Sequence, residues 1–344
     1  MSEPSTLPWT DEQWAQVQRT AAESARRARV ASTFLPLVGP LPEEQSSVSA
    51  LTLDETPDGE PYFRTAPMRM SIDDGVTLKL TTLSCEVYIK TAQAQDPDLA
   101  AVRQMVSRAG VVIGRLEDAI VMRGQPAVQD TAPKKDPAEP GYDPRHPLVV
   151  EPPIYRVQGG EAGHQGLRDV AKTKLTVTRG EEVIGNNLVK AVADVVQLLE
   201  ALGQYGPFGA MLGHELYEAA HTPSKGSLIL PADRFVPFLA GGPLLRSSAL
   251  PLNEGVIVAT AGAPIDLVIG TDVHVSYVQR TPEPRYVLRV SERMVLRLKQ
   301  VDAVALLTAA DAAPPAKKTA PGKKTAPAKK TAPAKMASSG PAPA

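Results

Sequence analysis

Through residues 96–124 apolar side chains recur at three- and four-residue steps: Leu99, Val102, Met105, Val106, Ala109, Val112, Ile113, Leu116, Ala119 and Ile120. This period predicts one long helix with a single apolar stripe. Asp96 would cap it, Pro97 would sit in its first turn, and Gly124 would end it. At about 1.5 Å per residue it would run roughly 40 Å, long enough to act as a spine for other elements. A second helix is predicted from Thr10 to about Ala31. Thr10 and Gln13 have capping-box spacing, Trp14, Val17, Ala21 and Ala25 share one side, and Arg26, Arg27 and Arg29 favour the negative helix pole. Prolines and a glycine in residues 34–42 stop it.

Elsewhere the pattern changes period. Residues 47–53 and 67–90 are rich in Thr, Val, Ile and Leu in partial alternation and predict a long β-hairpin, closed by the polar turn 54–61. The hairpin has few large apolar residues of its own, so it needs a neighbour to stabilise it. Residues 125–158 contain eight prolines and mixed charges and predict an exposed loop or insertion. A further amphipathic helix is predicted over 186–202, then a strand, turn and helix over 206–220, and a helix over 232–240. Strands follow at 255–261, 265–269, 274–279, 286–290 and 294–299. From residue 312 the chain is low in complexity, with KKTAP at 317, 323 and 329, and cannot bury a core.

Composition changes this picture in two ways. The 344 residues carry a net charge of −1, but seven lysines against Asp311 make residues 311–344 basic and leave the body mildly acidic. The single cysteine, Cys85, rules out an intrachain disulfide and suits a reducing cytoplasm. No apolar run approaches the ~20 residues of a membrane span, and the first residues lack the basic-then-apolar order of a signal peptide.

Candidate chemistry is sparse. The five histidines form no ligand cluster by spacing. His214–Glu215 opens like a zinc-protease motif, but Glu218 stands where the second histidine belongs, so a solvated helix face accounts for it. Cys85, among apolar and threonine residues, reads as a packed strand residue. Glu117 and Asp118 are adjacent on the spine and point about 100° apart, which suits structural ion pairing and not acid–base work on one substrate. Neither a catalytic set nor a cofactor motif emerges. The residues alone lead to an α+β body with a spine helix, a detached hairpin and a basic tail.

The order of short motifs adds a resemblance. An N-terminal helix ends in GPL (39–41), a hairpin follows, and DPDL (96–99) opens the spine. Then come EDAI (117–120) with Gly124, GL at 166–167, GPFGAMLGHELY (206–217), GTDVHVSY (270–277) and SER (291–293). Over residues 10–308, apart from the insertion, this resembles the family 1 encapsulins, linocin-like shell proteins with the major capsid fold of tailed phages (the Hong Kong phage type). The resemblance implies an N-terminal helix and arm (1–42), an extended loop with its strands (43–90) and the peripheral-domain spine (91–124). The Pro-rich insertion (125–165) comes next, then an axial domain (166–281), C-terminal peripheral strands (282–310) and the tail (311–344).

It implies further that copies assemble into a closed icosahedral shell that takes up a cargo enzyme through a targeting peptide. The cargo would be a ferritin-like iron protein or a dye-decolourising peroxidase. By motif position Val30, Phe34, Leu35, Leu37 and Met294 would furnish the apolar groove for that peptide, although core packing accounts for each of them equally well. His221, Thr222, Ser224, Lys225 and Gly226 fall on the candidate fivefold pore loop. A phage or prophage major capsid protein is the alternative, disfavoured because the N-terminal helix joins GPL directly without a scaffold-like segment. Two features depart from the family: about thirty inserted residues between Gly124 and Gly166, and the lysine-rich tail. The tail suits either weak, salt-sensitive nucleic-acid contact or a solubilising bristle.

Overall fold

Hydrophobic periodicity and capping determine where the chain becomes regular. The computed structural model describes residues 7–54, 71–129, 154–180, 184–224, 226 and 228–311. The hairpin tip, most of the Pro-rich insertion, Lys225 and the tail beyond Asp311 therefore lie outside the described residues.

Helix α1 spans Asp11–Ala28 and opens on the expected capping box: the Gln13 N–H donates to Thr10 Oγ1 (3.2 Å) and the Thr10 N–H to Gln13 Oε1 (3.0 Å). It ends three residues before Ala31 because the Val30 and Ala31 N–H groups donate instead to the Asp118 carboxylate, at 2.8–3.0 Å. A 3-10 turn at Ala31–Thr33 leads into β1, Leu37–Val38. The hairpin forms two short ladders. In one, β2 (Ser47–Ser49) pairs with β5 (Thr77–Lys79); in the other, β3 (Thr52–Asp54) pairs with β4 (Ser71–Asp73). Strand β6, Thr81–Lys90, passes into the short α2, Thr91–Ala94.

The spine is α3, Ala100–Arg123, about 36 Å long. It starts three residues later than its sequence suggests. Leu99 takes a left-handed conformation (φ 49°), and Asp96, now in the preceding turn, still caps the helix by accepting the Ala100 N–H at 3.2 Å. Gly124 ends it as expected, with φ 78°. The apolar stripe is buried except for Met105, which is half-buried. Gly110 and Gly114 let α1 lie unusually close: a Cβ at either would come within 2.5 Å of the Ala21 carbonyl oxygen or 2.8 Å of that of Ala25.

Past the spine, α4 (Pro126–Gln129) and β7 (Tyr155–Gly159) give structure to both ends of the stretch expected to be loop. Strand β7 pairs with β6, and buried Gln125 ties the two together through Thr81 Oγ1 (3.1 Å) and the Gly159 carbonyl (2.7 Å). Then follow α5 (Leu167–Val170), β8 (Thr173–Arg179), α6 (Ile184–Ala201), β9 (Phe208–Leu212) and α7 (His214–His221). After α8 (Pro231–Phe235) come β10 (Leu244–Arg246), β11 (Glu254–Ala259), β12 (Ile265–Arg280), β13 (Arg285–Leu298) and β14 (Val304–Asp311). The predicted elements over 186–220 and 232–240 are present in that order.

The strands make two five-stranded sheets, ordered β1-β12-β13-β6-β7 and β10-β9-β11-β14-β8. Two pairs of expected strands are single long ones. Strand β12 continues through Gly270–Val273 with register shifts, and β13 continues through Ser291–Arg293. Both joins carry polar residues, which break apolar alternation in the sequence, yet Glu292 within the second join is fully buried. Its burial is the first sign of the joint described next.

Candidate functional site

The chain leaves α1 through a joint made by four elements. Arg29, the residue after α1, points into the body: its Nε lies 2.8 Å from Glu117 Oε2 of α3, and its terminal nitrogen lies 2.6 Å from Glu292 Oε1 of β13 and 3.1 Å from Asp272 Oδ1 of β12. Glu117 and Glu292 are 0% exposed, whereas Asp272 is largely open to solvent. Asp118, next to Glu117 on the spine, holds the Val30 and Ala31 N–H groups. The adjacent acids thus serve structural pairing, as their helical spacing suggested, in two different directions. Burial pushes the Glu292 carboxyl well above the usual carboxylate range, and nearby Glu117 adds to the effect while Arg29 opposes it. Burial also raises Glu117 against the pull of Arg29, and raises Asp118 to about 7 against its backbone donors.

Downstream of this joint lie the residues assigned to the candidate cargo groove. Val30 and Phe34 are half-buried and packed against the core. The Phe34 ring lies against Gly209 of β9, where a Cβ would come within 2.8 Å of it. Leu35 is buried. The Pro36 carbonyl accepts the Leu267 N–H at 2.9 Å, which sets β1 parallel to β12 at the edge of the first sheet. There Leu37 is 55% exposed. Met294 is fully buried on β13, between Ile269 and Thr81. Of the five, Leu37 is open to solvent, Val30 and Phe34 are partly so, and Leu35 and Met294 are buried in the core.

The candidate pore loop begins where α7 ends. The His221 ring packs on Tyr217, with centroids 4.3 Å apart, and its Nδ1 meets the Tyr217 carbonyl at 2.9 Å. The Thr222 hydroxyl donates to the Glu218 carbonyl at 2.8 Å. Ser224 approaches Asn186 Oδ1 at 3.4 Å, which also accepts from Arg234. Gly226 has φ +78°, Lys225 lies outside the described residues, and Leu228 just beyond is 100% exposed.

The remaining candidates have structural partners. Glu215 pairs with Arg179 through two bonds of 2.6 and 2.8 Å, so the half-motif at His214–Glu215 is a surface ion pair. The Cys85 thiol donates to the Ile154 carbonyl at 3.2 Å and burial raises it to about 11, which leaves little nucleophilic thiolate. Among the described residues no group of three or more His, Cys, Asp or Glu is placed to hold a metal ion, and no helix is long and apolar enough to cross a membrane. The role of Arg29 and Glu292 was missed in the sequence. Arg29 reads as a helix-pole cation and Glu292 as a break between strands, and only the spatial meeting of the two reveals them.

Comparison with known proteins places this geometry. Residues 158–295 match the family model described as encapsulating protein for peroxidase. The chain is 22% identical over 315 residues to the type 1 encapsulin shell protein EncA of Myxococcus xanthus, covering 89% of this chain and 95% of that relative. Its fold is similar to a virus-like particle from Pyrococcus furiosus, with a TM-score of 0.54 and 15% identity over 86% of this chain and 99% of the other. It is similar as well to the capsid of the Myoviridae phage XM1, with a TM-score of 0.52 and 15% identity over 80% and 90% of the two chains. At that identity the solved structures establish the fold alone. It is the α+β capsid fold that the order of motifs implied.

Proposed function

We propose that this chain, an encapsulin-type shell protein and not an enzyme, closes copies of itself into an icosahedral nanocompartment around a cargo enzyme. The observation that supports this most is the correspondence with an encapsulin shell protein over 95% of that relative's length. In this chain an N-terminal helix lies along the spine and leads through a 3-10 turn into β1.

The cargo enters through a targeting peptide that docks on Val30, Phe34 and Leu37, with Leu35 and Met294 buried in the core. The matching family is described by its encapsulation of peroxidase, which favours a dye-decolourising peroxidase over a ferritin-like cargo. The loop from His221 to Gly226 lines a pore at the fivefold axis. With one cysteine and no helix among the described residues able to span a membrane, the shell belongs in the cytoplasm. The lysine-rich tail makes weak, salt-sensitive contact with nucleic acid.

Negative-stain micrographs of the purified protein, full-length and truncated after Asp311, test the shell. Closed particles free of nucleic acid are expected, because an acidic body repels phosphate. Particles that form only on bound RNA or DNA would instead favour the capsid alternative. With a peroxidase carrying a targeting peptide co-expressed, Leu37→Asp should lower co-purification while leaving particles intact. Trypsin added to closed particles should remove the tail and spare the body; a tail cut only after disassembly would lie in the lumen.

A further inference from the structure

The joint at the end of α1 holds more acid than its single cation can match. Each element packed there contributes: Arg29 from the end of α1, Glu117 and Asp118 from α3, Asp272 from β12 and Glu292 from β13. Strand β6 adds only Leu83, in register with Glu292. Asp272 is mostly solvated, and Asp118 is held by two backbone N–H groups. That leaves Glu117 and Glu292, both fully buried, to share one guanidinium.

Their hydrogen bonding is incomplete as carboxylates. Glu117 Oε2 has its ion pair with Arg29 at 2.8 Å and the Ser32 side chain lies near the Glu117 carboxyl, but neither Glu117 oxygen nor Glu292 Oε2 makes a well-aligned hydrogen bond, and the two carboxyls lie in hydrogen-bonding reach of each other. A proton on one of them supplies the missing donor. It also brings the buried pair to a single negative charge, which Arg29 balances. Two buried carboxylates facing one cation would instead leave a net charge out of water, at high cost.

We propose that this joint is a proton-held latch: a proton shared between Glu117 and Glu292 keeps the C-terminal end of α1 docked on α3 and β13, and its loss at alkaline pH releases that end. Carboxyls that stay protonated in the folded chain and ionise in the unfolded one stabilise the fold fully at acidic pH. That contribution falls as pH rises through their folded values. Because α1 leads straight into Val30, Phe34 and Leu37, opening the latch would also loosen the stretch assigned to cargo docking. The latch itself is a property of the subunit and stands whether or not that assignment holds.

The molecule carries its own reporter. Its two tryptophans, Trp9 and Trp14, sit at the N-terminal end of the same helix, opposite the latch, where a tilt of the rigid helix on release of its C-terminal end changes their surroundings. The Trp9 indole N–H donates to the Ala94 carbonyl at 2.8 Å, and the two rings lie 5.4 Å apart. Tryptophan emission of the full chain, followed from about pH 6 to about pH 9.5, below the tyrosine range, should shift to the red on the alkaline side while the helical circular dichroism persists. In Glu292→Gln, which fixes the neutral form, that transition should disappear or move up by about one pH unit or more. Glu117→Gln removes the other acid of the pair and should do the same. No alkaline transition in the wild type, or the same transition in both variants, would overturn the latch. So would failure of both variants to fold near neutral pH, because the amides imitate the state held to be stable.

Discussion

Two buried ion clusters lie along the same pair of long strands, β12 and β13, and they are built with opposite imbalance. At one end Asp266 receives both Arg297, through two bonds of 2.7–2.8 Å, and Lys299 at 2.7 Å. Midway along them, Arg29 faces Glu117 and Glu292, with Asp118 alongside. The first has two cations for one acid: Arg297 is as enclosed as Arg29, but Lys299 extends to the rim, 23% exposed, and donates to the Ala263 carbonyl at 3.0 Å. The second has its acids fully enclosed and its one cation nearly so. Long basic side chains can bury their stems and still reach solvent; a glutamate on a mid-sheet position cannot. An excess of buried base is therefore relieved by geometry, and an excess of buried acid is relieved by a proton.

Removing the cation of the acid-rich cluster should have the largest effect. Arg29→Ala leaves Glu117 and Glu292 enclosed without a partner, and breaking a buried pair in this way costs about 3–5 kcal/mol. Because both carboxyls already sit above their usual range, protonation can relieve the variant. Its deficit in urea unfolding should be smaller near about pH 5 than near about pH 8. An equal deficit at both would mean that the acids are not the stranded groups. The matching change at the other cluster, Asp266→Asn, should cost about 2–3 kcal/mol, with Lys299, at the rim, relieved by water. Here the loss should not grow on the alkaline side, since no buried carboxyl pair remains to titrate. The comparison fails if the two variants respond to pH alike.

A third change tests whether the acid-rich joint depends on close helix packing. Gly110→Ala would place a methyl within 2.5 Å of the Ala21 carbonyl oxygen and push α1 off the spine, at a cost of about 1–3 kcal/mol in thermal or urea unfolding. An unchanged stability would show that α1 slides to accommodate it.

Local signals made much of this architecture legible. The capping box at Thr10 and Gln13, the stripe on α3 and the Gly124 stop follow from near neighbours in sequence, and each is present as expected. The end of α1, the start of α3 and the continuity of β12 and β13 do not. Each depends on a partner far along the chain. Asp118 takes the N–H groups of Val30 and Ala31, and Glu292 is buried only because Arg29 is there to meet it. Polar residues in a strand signal exposure when read alone, so a buried charge is the feature that local reading most readily mistakes for a break. The candidate groove divides in the same way. Exposed Leu37 and buried Met294 are equally apolar in sequence, and only the sheet register separates them.

The smallest expected effect on the folded subunit comes from the hairpin. Its described ladders, β2 with β5 and β3 with β4, rest on a small satellite cluster of Val48, Leu80, Val268 and Val295, apart from the main core. Ile72 and Val76 are exposed along it, so little of its apolar surface is buried by its own chain. A two-stranded ribbon of this kind is only marginally stable alone and gains its order from a neighbour. Deleting residues 56–59, at the polar tip, removes no described core contact and should change the unfolding free energy by no more than about 0.5 kcal/mol. Shell formation, in contrast, should fall sharply in light scattering if the extended loop reaches an adjacent subunit. Circular dichroism keeps the two effects apart. A folded subunit that no longer assembles places the hairpin between copies, in contrast to the ion clusters, which act within one. Normal particles of full thermal stability from the deletion would return the hairpin to the subunit that carries it.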